Sequence, residues 1–145
     1  MGKKRIVTQE SKKVEAGEKS PDGVKSATRR HLDYGTLYIE ATYNNTKGLL
    51  TDTKGNALTW TSSGALGFKG AKKGTPFAAA KVGETIGDRA LNYGMKEVSV
   101  IVSGVGAGRE SLIRGFISRG IALSAIKDVT PVTHNGPRPK KPRRV

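Results

Sequence analysis

Between residues 64 and 74 the chain reads Gly-Ala-Leu-Gly-Phe-Lys-Gly-Ala-Lys-Lys-Gly, with four glycines and three lysines in one stretch. Glycine lets a backbone approach a phosphate closely. Lys69, Lys72 and Lys73 supply the positive charge, and Phe68 offers a face on which a base can stack. The loop runs into Thr75-Pro76, an N-cap residue followed by proline at the first helical position. A helix N-terminus is itself a natural phosphate site. A second group of cations closes the chain. Arg138, Lys140, Lys141, Arg143 and Arg144 are interleaved with prolines and no acid in residues 137–145. Proline bars this stretch from a helix or a central strand, and cations packed so densely repel one another unless an anion lies alongside. Polyphosphate is the partner that both groups fit.

Other residues carry weaker chemistry. Gly104-Val-Gly-Ala-Gly108 before a helix, with Asp128 some twenty residues on, partly imitates a dinucleotide fingerprint. The third glycine arrives one residue early, and the chain lacks a second mononucleotide-binding half. Arg109 at that helix start suits a phosphate on RNA equally well. Glu40 and Asp52 fall on adjacent early strands, and a metal-dependent nuclease would need such a pair to meet. Glu84 and Asp88 lie four apart with Lys81 and Arg89 nearby, the pattern of a solvated, charge-balanced helix face. His31 and His134 each sit beside a flank without a nearby carboxylate partner. Two histidines and no cysteine point away from a transition-metal site. No metal and no cofactor are expected.

The elements that must position these residues occupy one domain of the 145-residue chain. Residues 1–31 hold nine Lys/Arg against four Asp/Glu and show no apolar period, so they read as a flexible basic arm. Residues 32–136 hold twelve against eight and form the globular α/β domain, leaving residues 137–145 as a basic tail. The overall charge is +14. No apolar run approaches the ~20 residues of a membrane span, and no signal-peptide core is present, so a soluble protein without a membrane partner is expected.

Alternation of Leu37, Ile39, Ala41 and Tyr43 with polar neighbours predicts a half-buried strand from about Tyr34. Asn44-Asn45, exposed at the following turn, can hydrogen-bond RNA backbone or bases. A second strand is expected over about Thr46 to Thr53, a turn at Lys54-Gly55-Asn56, and a third strand over Ala57 to Ser62. Ala79, Val82, Ile86, Ala90 and Tyr93 make one helical stripe, with Gly94 as its C-terminal cap. Val98 to Val102 has the apolar character of a fully buried strand. The second helix places Leu112, Ile113, Phe116 and Ile117 on one face and Arg119 in its last turn, and a final strand spans about Ile121 to Val129. The order βββαβαβ predicts one mixed sheet with helices packed on it.

Taken together, several strings resemble a known family. These are Asn44-Asn45-Thr46, Asp52-x-x-Gly55-Asn56-Ala57, Gly67-Phe68-Lys69-Gly70, Gly74-Thr75-Pro76-Phe77, Gly106-x-Gly108-Arg109-Glu110, and the run from Asp128-Val129-Thr130-Pro131 through His134-Asn135-Gly136 to Arg138-Pro139. Their order and spacing are similar to those of the bacterial-type S-eleven family of small-subunit ribosomal proteins, over residues 34–145. Ser103 and Val105 stand where that family carries lysine and proline, and Pro137 where it carries cysteine. The resemblance implies a ribonuclease-H-like fold without nuclease activity, and a cytoplasmic protein on the platform of the small subunit, near the exit site and the upstream mRNA path. It implies small-subunit rRNA, neighbouring small-subunit ribosomal proteins and mRNA upstream of the exit site as partners, and no homo-oligomer. His134 and Asn135 join the RNA-binding residues on the same ground. The alternatives are a nucleic-acid-binding module unrelated to ribosomes, and a nuclease using Glu40 and Asp52.

Overall fold

The computed structural model describes residues 31–142. Residues 1–30, most of the expected N-terminal arm, lie outside the described residues, as do Arg143 and Arg144.

The predicted alternation is realised in β1 (Tyr34–Ala41), where Gly35, Leu37, Ile39 and Ala41 are buried while Tyr38 and Glu40 face out. The strand stops two residues early. Thr42 N–H donates to the Asn45 carbonyl at 2.9 Å, so the turn begins at Thr42. Tyr43, expected to point inward, is therefore 84% exposed at the turn. β2 (Thr46–Thr51) also ends early. The Asp52 carboxylate accepts the backbone N–H groups of Lys54 at 2.8 Å and Asn56 at 2.9 Å, and the Asn56 side-chain amide at 2.8 Å. Three bonds to one side chain close the turn into β3 (Ala57–Ser62).

A loop and a short 3-10 turn (Gly70–Gly74) lead to α1 (Pro76–Asn92). The Thr75 hydroxyl accepts the Ala78 N–H, as an N-cap should, and Gly94 takes φ 77° just beyond the other end. β4 (Glu97–Ser103), α2 (Gly108–Ile117) and β5 (Ala122–Asp128) complete the chain of elements. α2 is shorter than its apolar pattern implies. Arg119 falls past its end, and Ile117 is exposed.

The five strands form one sheet in the order β3-β2-β1-β4-β5. β1–β2 and β2–β3 are antiparallel; β1–β4 and β4–β5 are parallel. The core lies between one sheet face and the helix pair. Leu37, Ile39, Leu50, Val98, Val100 and Val102 pack there with Val82, Ile86, Ala90, Leu112 and Phe116. Each large side chain buried in this way contributes about 1.5–3 kcal/mol. The helices touch backbone to backbone. A Cβ on Gly83 would run into the Leu112 carbonyl, and one on Gly115 into the Ala80 carbonyl.

The opposite sheet face is uncovered among the described residues. For that reason β4 is not buried on both sides as its composition suggested: Val98, Val100 and Val102 are buried, but Ser99, Ile101 and Ser103 are only half-buried. Tyr38, Leu49, Trp60 and Ile101 line an open hollow of about 480 Å³ on this face, with the Lys47–Glu40 pair at its rim. No described helix is long and apolar enough to cross a membrane.

Candidate nucleic-acid interface

One end of the sheet gathers the β1–β2 turn, the glycine/lysine loop, the loop before α2 and the start of the tail. Gly74 packs against the β1–β2 turn: a Cβ there would run into the Tyr43 carbonyl and lie about 3.5 Å from Asn44 Cα. Gly104 and Gly106 press on the carbonyls of Ala41 and Thr42 in the same way. Both helices begin here, so the positive ends of two helix dipoles are turned toward this end.

Ser63 ties the parts together. Its buried hydroxyl lies 2.8 Å from the Lys73 carbonyl, within hydrogen-bond reach of Asn45 Oδ1, and accepts the Thr46 N–H at 3.3 Å. Asn45 is accordingly half-buried, and its side chain faces the interior rather than solvent. Neither Asn44 nor Asn45 takes a positive φ, because Thr42 closes their turn by hydrogen bonds. Asn44 stays exposed.

The glycine/lysine loop is more regular than its composition predicts. Leu66, Gly67 and Phe68 donate back to Ser62, Gly64 and Ser63, and residues 70–74 form the 3-10 turn whose Lys72 carbonyl accepts from Thr75. Positive φ at Gly67 and Gly70 permits the two bends. Lys69 and Lys72 are exposed and Lys73 is half-buried. None of the three has an acidic partner within 4 Å among the described residues. They form a block of positive charge that no described acid compensates.

Arg109 is differently placed. Its guanidinium pairs with Asp128 and donates to the Gly104 carbonyl and to the Thr130 hydroxyl. Asp128 also accepts from the Thr130 hydroxyl at 2.6 Å and backbone N–H at 2.8 Å. Those bonds from Thr130, followed by Arg109, hold the Asp128 carboxyl at about 2. The clamp fixes where the tail leaves the sheet. Beyond it, His134, Asn135, Arg138, Lys140 and Lys141 are all exposed, and Asn135 turns the chain with φ 51°.

A family model described as Ribosomal protein S11 matches residues 35–144. The chain belongs to the ribosomal protein S11 family. Members are structural proteins of the small ribosomal subunit that bind rRNA and other small-subunit ribosomal proteins, and they are not enzymes.

The acids agree with S11-family membership. Glu40 is paired in register with Lys47, at the opposite end of β2 from Asp52. Five residues of extended strand separate Lys47 from Asp52, about 17 Å. The two carboxylates therefore do not meet, contrary to the nuclease alternative. Asp52 is occupied in its turn, where the Asn56 amide above all holds its carboxyl below the usual range. Glu84 and Asp88 make the expected balanced face, but Arg119 takes the place of Arg89. Glu84 pairs with Lys81 at 2.9 Å and Arg119 at 3.1 Å, and Asp88 with Arg119 at 3.2 Å. Arg89 instead donates to the Thr59 hydroxyl and the Trp60 carbonyl, covering the outer edge of β3. His31, expected to lack a carboxylate neighbour, lies 3.9 Å from Asp33, but among the described residues no three His or acidic groups are gathered to hold a metal ion. The glycines at 104, 106 and 108 serve close internal packing, which accounts for the imitation dinucleotide motif.

Two features of this S11-family chain escaped the sequence reading. Tyr43 projects at the gathered end. Phe77, the second residue of α1, is 65% exposed and meets Phe68 edge-on, with ring centroids 6.1 Å apart and an interplanar angle of 86°. The signal for Phe77 was its position two residues after the N-cap Thr75. It falls outside the buried face of the helix, which begins at Ala78.

Proposed function

We propose that the gathered end of the sheet is the rRNA-binding surface of this protein. On this reading Lys69, Lys72 and Lys73 neutralise phosphates from the globule, and Arg138, Lys140, Lys141, Arg143 and Arg144 do so from the tail. Asn44 hydrogen-bonds RNA directly, while His134 and Asn135 carry the tail onto it. Asn45 and Arg109 act by positioning the loop and the tail. Phe68 belongs to the stacking surface. The observation that carries this reading is the block of three lysines without acidic partners among the described residues, held on an ordered loop beside the tail's point of departure.

The basic segments 1–31 and 137–145 fit arms that follow RNA, because counterion release can offset their ordering entropy. The order β3-β2-β1-β4-β5 with both helices on one face supports a ribonuclease-H-like description of the fold. The family match and the signature strings support a position on the subunit platform, near the exit site and the upstream mRNA path, with mRNA as a further contact. The uncovered sheet face, apolar and nearly neutral, suits a protein neighbour better than a phosphate backbone. The protein would act as one copy per subunit.

Ultraviolet crosslinking of small subunits that contain the full chain tests the assignment. Peptides covering residues 68–73 and 134–142 should carry nucleotides. Crosslinks confined to the far end of the sheet, around Asp52 to Asn56 and Tyr93 to Lys96, would contradict it.

A further inference from the structure

Beside the lysine block lies an aromatic hollow that phosphate binding does not use. Leu66, Phe68, Phe77, Lys81 and Thr85 line it, and it measures about 340 Å³. That lies within the ~300–1,000 Å³ range of small-ligand sites. Phe77 is its principal ring. It stands at the start of α1 with most of its surface in solvent, although the core lies one turn away. Phe68 braces it edge-on, the arrangement that aromatic quadrupoles favour. Lys81, fixed by Glu84, places its ammonium 6.0 Å from the Phe77 centroid.

We propose that this hollow is a nucleobase subsite in which Phe77, braced by Phe68, stacks one unpaired base of the RNA whose phosphates lie on Lys69, Lys72 and Lys73. The inference rests on the rRNA-binding reading and deepens it by naming a base contact and the residues that make it. The commitment to a base rather than an apolar protein side chain comes from charge. Lys69 follows Phe68 directly, and the 3-10 turn bearing Lys72 and Lys73 ends where α1 begins. An anionic partner is required within a nucleotide's length of the ring. A flipped base supplies the flat π-face and its own backbone the charge. The hollow on the other sheet face has comparable apolar character, but its rim cation Lys47 is already closed on Glu40. Phe77 thus becomes the stacking residue and Phe68 its support.

Stacking and phosphate contact leave different marks. A phosphate contact changes how affinity depends on salt; a stacked base does not. The test measures binding of in vitro transcribed small-subunit rRNA to the full-length chain over a salt series, for wild type, Phe77→Ala, Phe77→Leu and Phe77→Trp. Phe77→Ala and Phe77→Leu should bind about 10- to 100-fold more weakly with an unchanged log–log slope. Phe77→Trp should bind at least as well as wild type. Melting temperatures should stay within a few degrees, because the ring is a surface group. Phe77→Leu at wild-type affinity would overturn the proposal, since it keeps apolar volume and loses only the π-face. Phe77→Ala at wild-type affinity would overturn it too, and would return the hollow to a protein neighbour. Failure of wild type itself to bind the rRNA would sink the broader reading instead.

Discussion

Replacing Lys69, Lys72 and Lys73 together with glutamine should change the salt dependence of rRNA binding far more than it changes the fold. Glutamine keeps most of the aliphatic stem, so the half-buried stem of Lys73 beside Gly64 retains its packing. None of the three ammonium groups has an acidic partner within 4 Å among the described residues, so the change breaks no pair with a described residue. The cost in stability should be below about 0.5 kcal/mol per site, which amounts to a few degrees in melting temperature. Each neutralised phosphate contributes about 0.7–0.9 to the slope of log K against log salt. Losing three should therefore lower the slope by about 2–3. Between about 50 and 200 mM salt, wild-type affinity should fall about 20- to 40-fold more than that of the variant. Filter binding or fluorescence anisotropy with transcribed small-subunit rRNA measures both quantities. An unchanged slope in a folded variant would refute the assignment of these lysines to phosphates. Unfolding of the variant would show that the loop's charge serves the structure.

Ser63→Ala should destabilise the domain by about 1–3 kcal/mol, because it strips the buried Thr46 N–H and the Lys73 carbonyl of a shared partner; denaturant unfolding measures this, and amide exchange should speed up over residues 63–75. Gly83→Val drives a side chain into the Leu112 carbonyl where the helices touch, so its melting temperature should fall well below that of an exposed-site control such as Lys54→Ala. The depressed Asp128 carboxyl contributes stability that is fully present above its ordinary value of 3.8 and is lost as pH falls toward about 2. Asp128→Asn should flatten the decline of melting temperature over that interval, and equal declines in the two proteins would argue against the clamp.

Much of the fold was legible because local chemistry and packing agreed. Thr75-Pro76 marks the start of α1, Gly94 its end, and the alternation in β1 its buried face, since each feature has one physical reading. The misses came from contacts between distant residues. The half-burial of β4 reflects a sheet face that the described residues leave uncovered, which no run of valines and isoleucines can reveal. The early end of β1 depends on the Thr42–Asn45 bonds, and the inward turn of Asn45 depends on Ser63, eighteen residues away. At the site, the exposure of Lys69 and Lys72 could be read directly, because lysine is rarely buried without a partner. Arg109 could not be separated from them, since Asp128 and Thr130 reach it only through the pairing of β4 with β5. Phe77 belongs to no expected stripe, and its exposure became visible only once α1 was oriented toward the sheet.

As a member of the S11 family, this chain works as an rRNA-bound component of the small ribosomal subunit. Sedimentation of a tagged full-length copy from its native cell lysate, in salt that strips loosely attached factors, tests this most directly. The tag should travel with the small-subunit peak and with assembled ribosomes in near-equal stoichiometry. A tag that remains at the top of the gradient while the small-subunit peak is intact would contradict it.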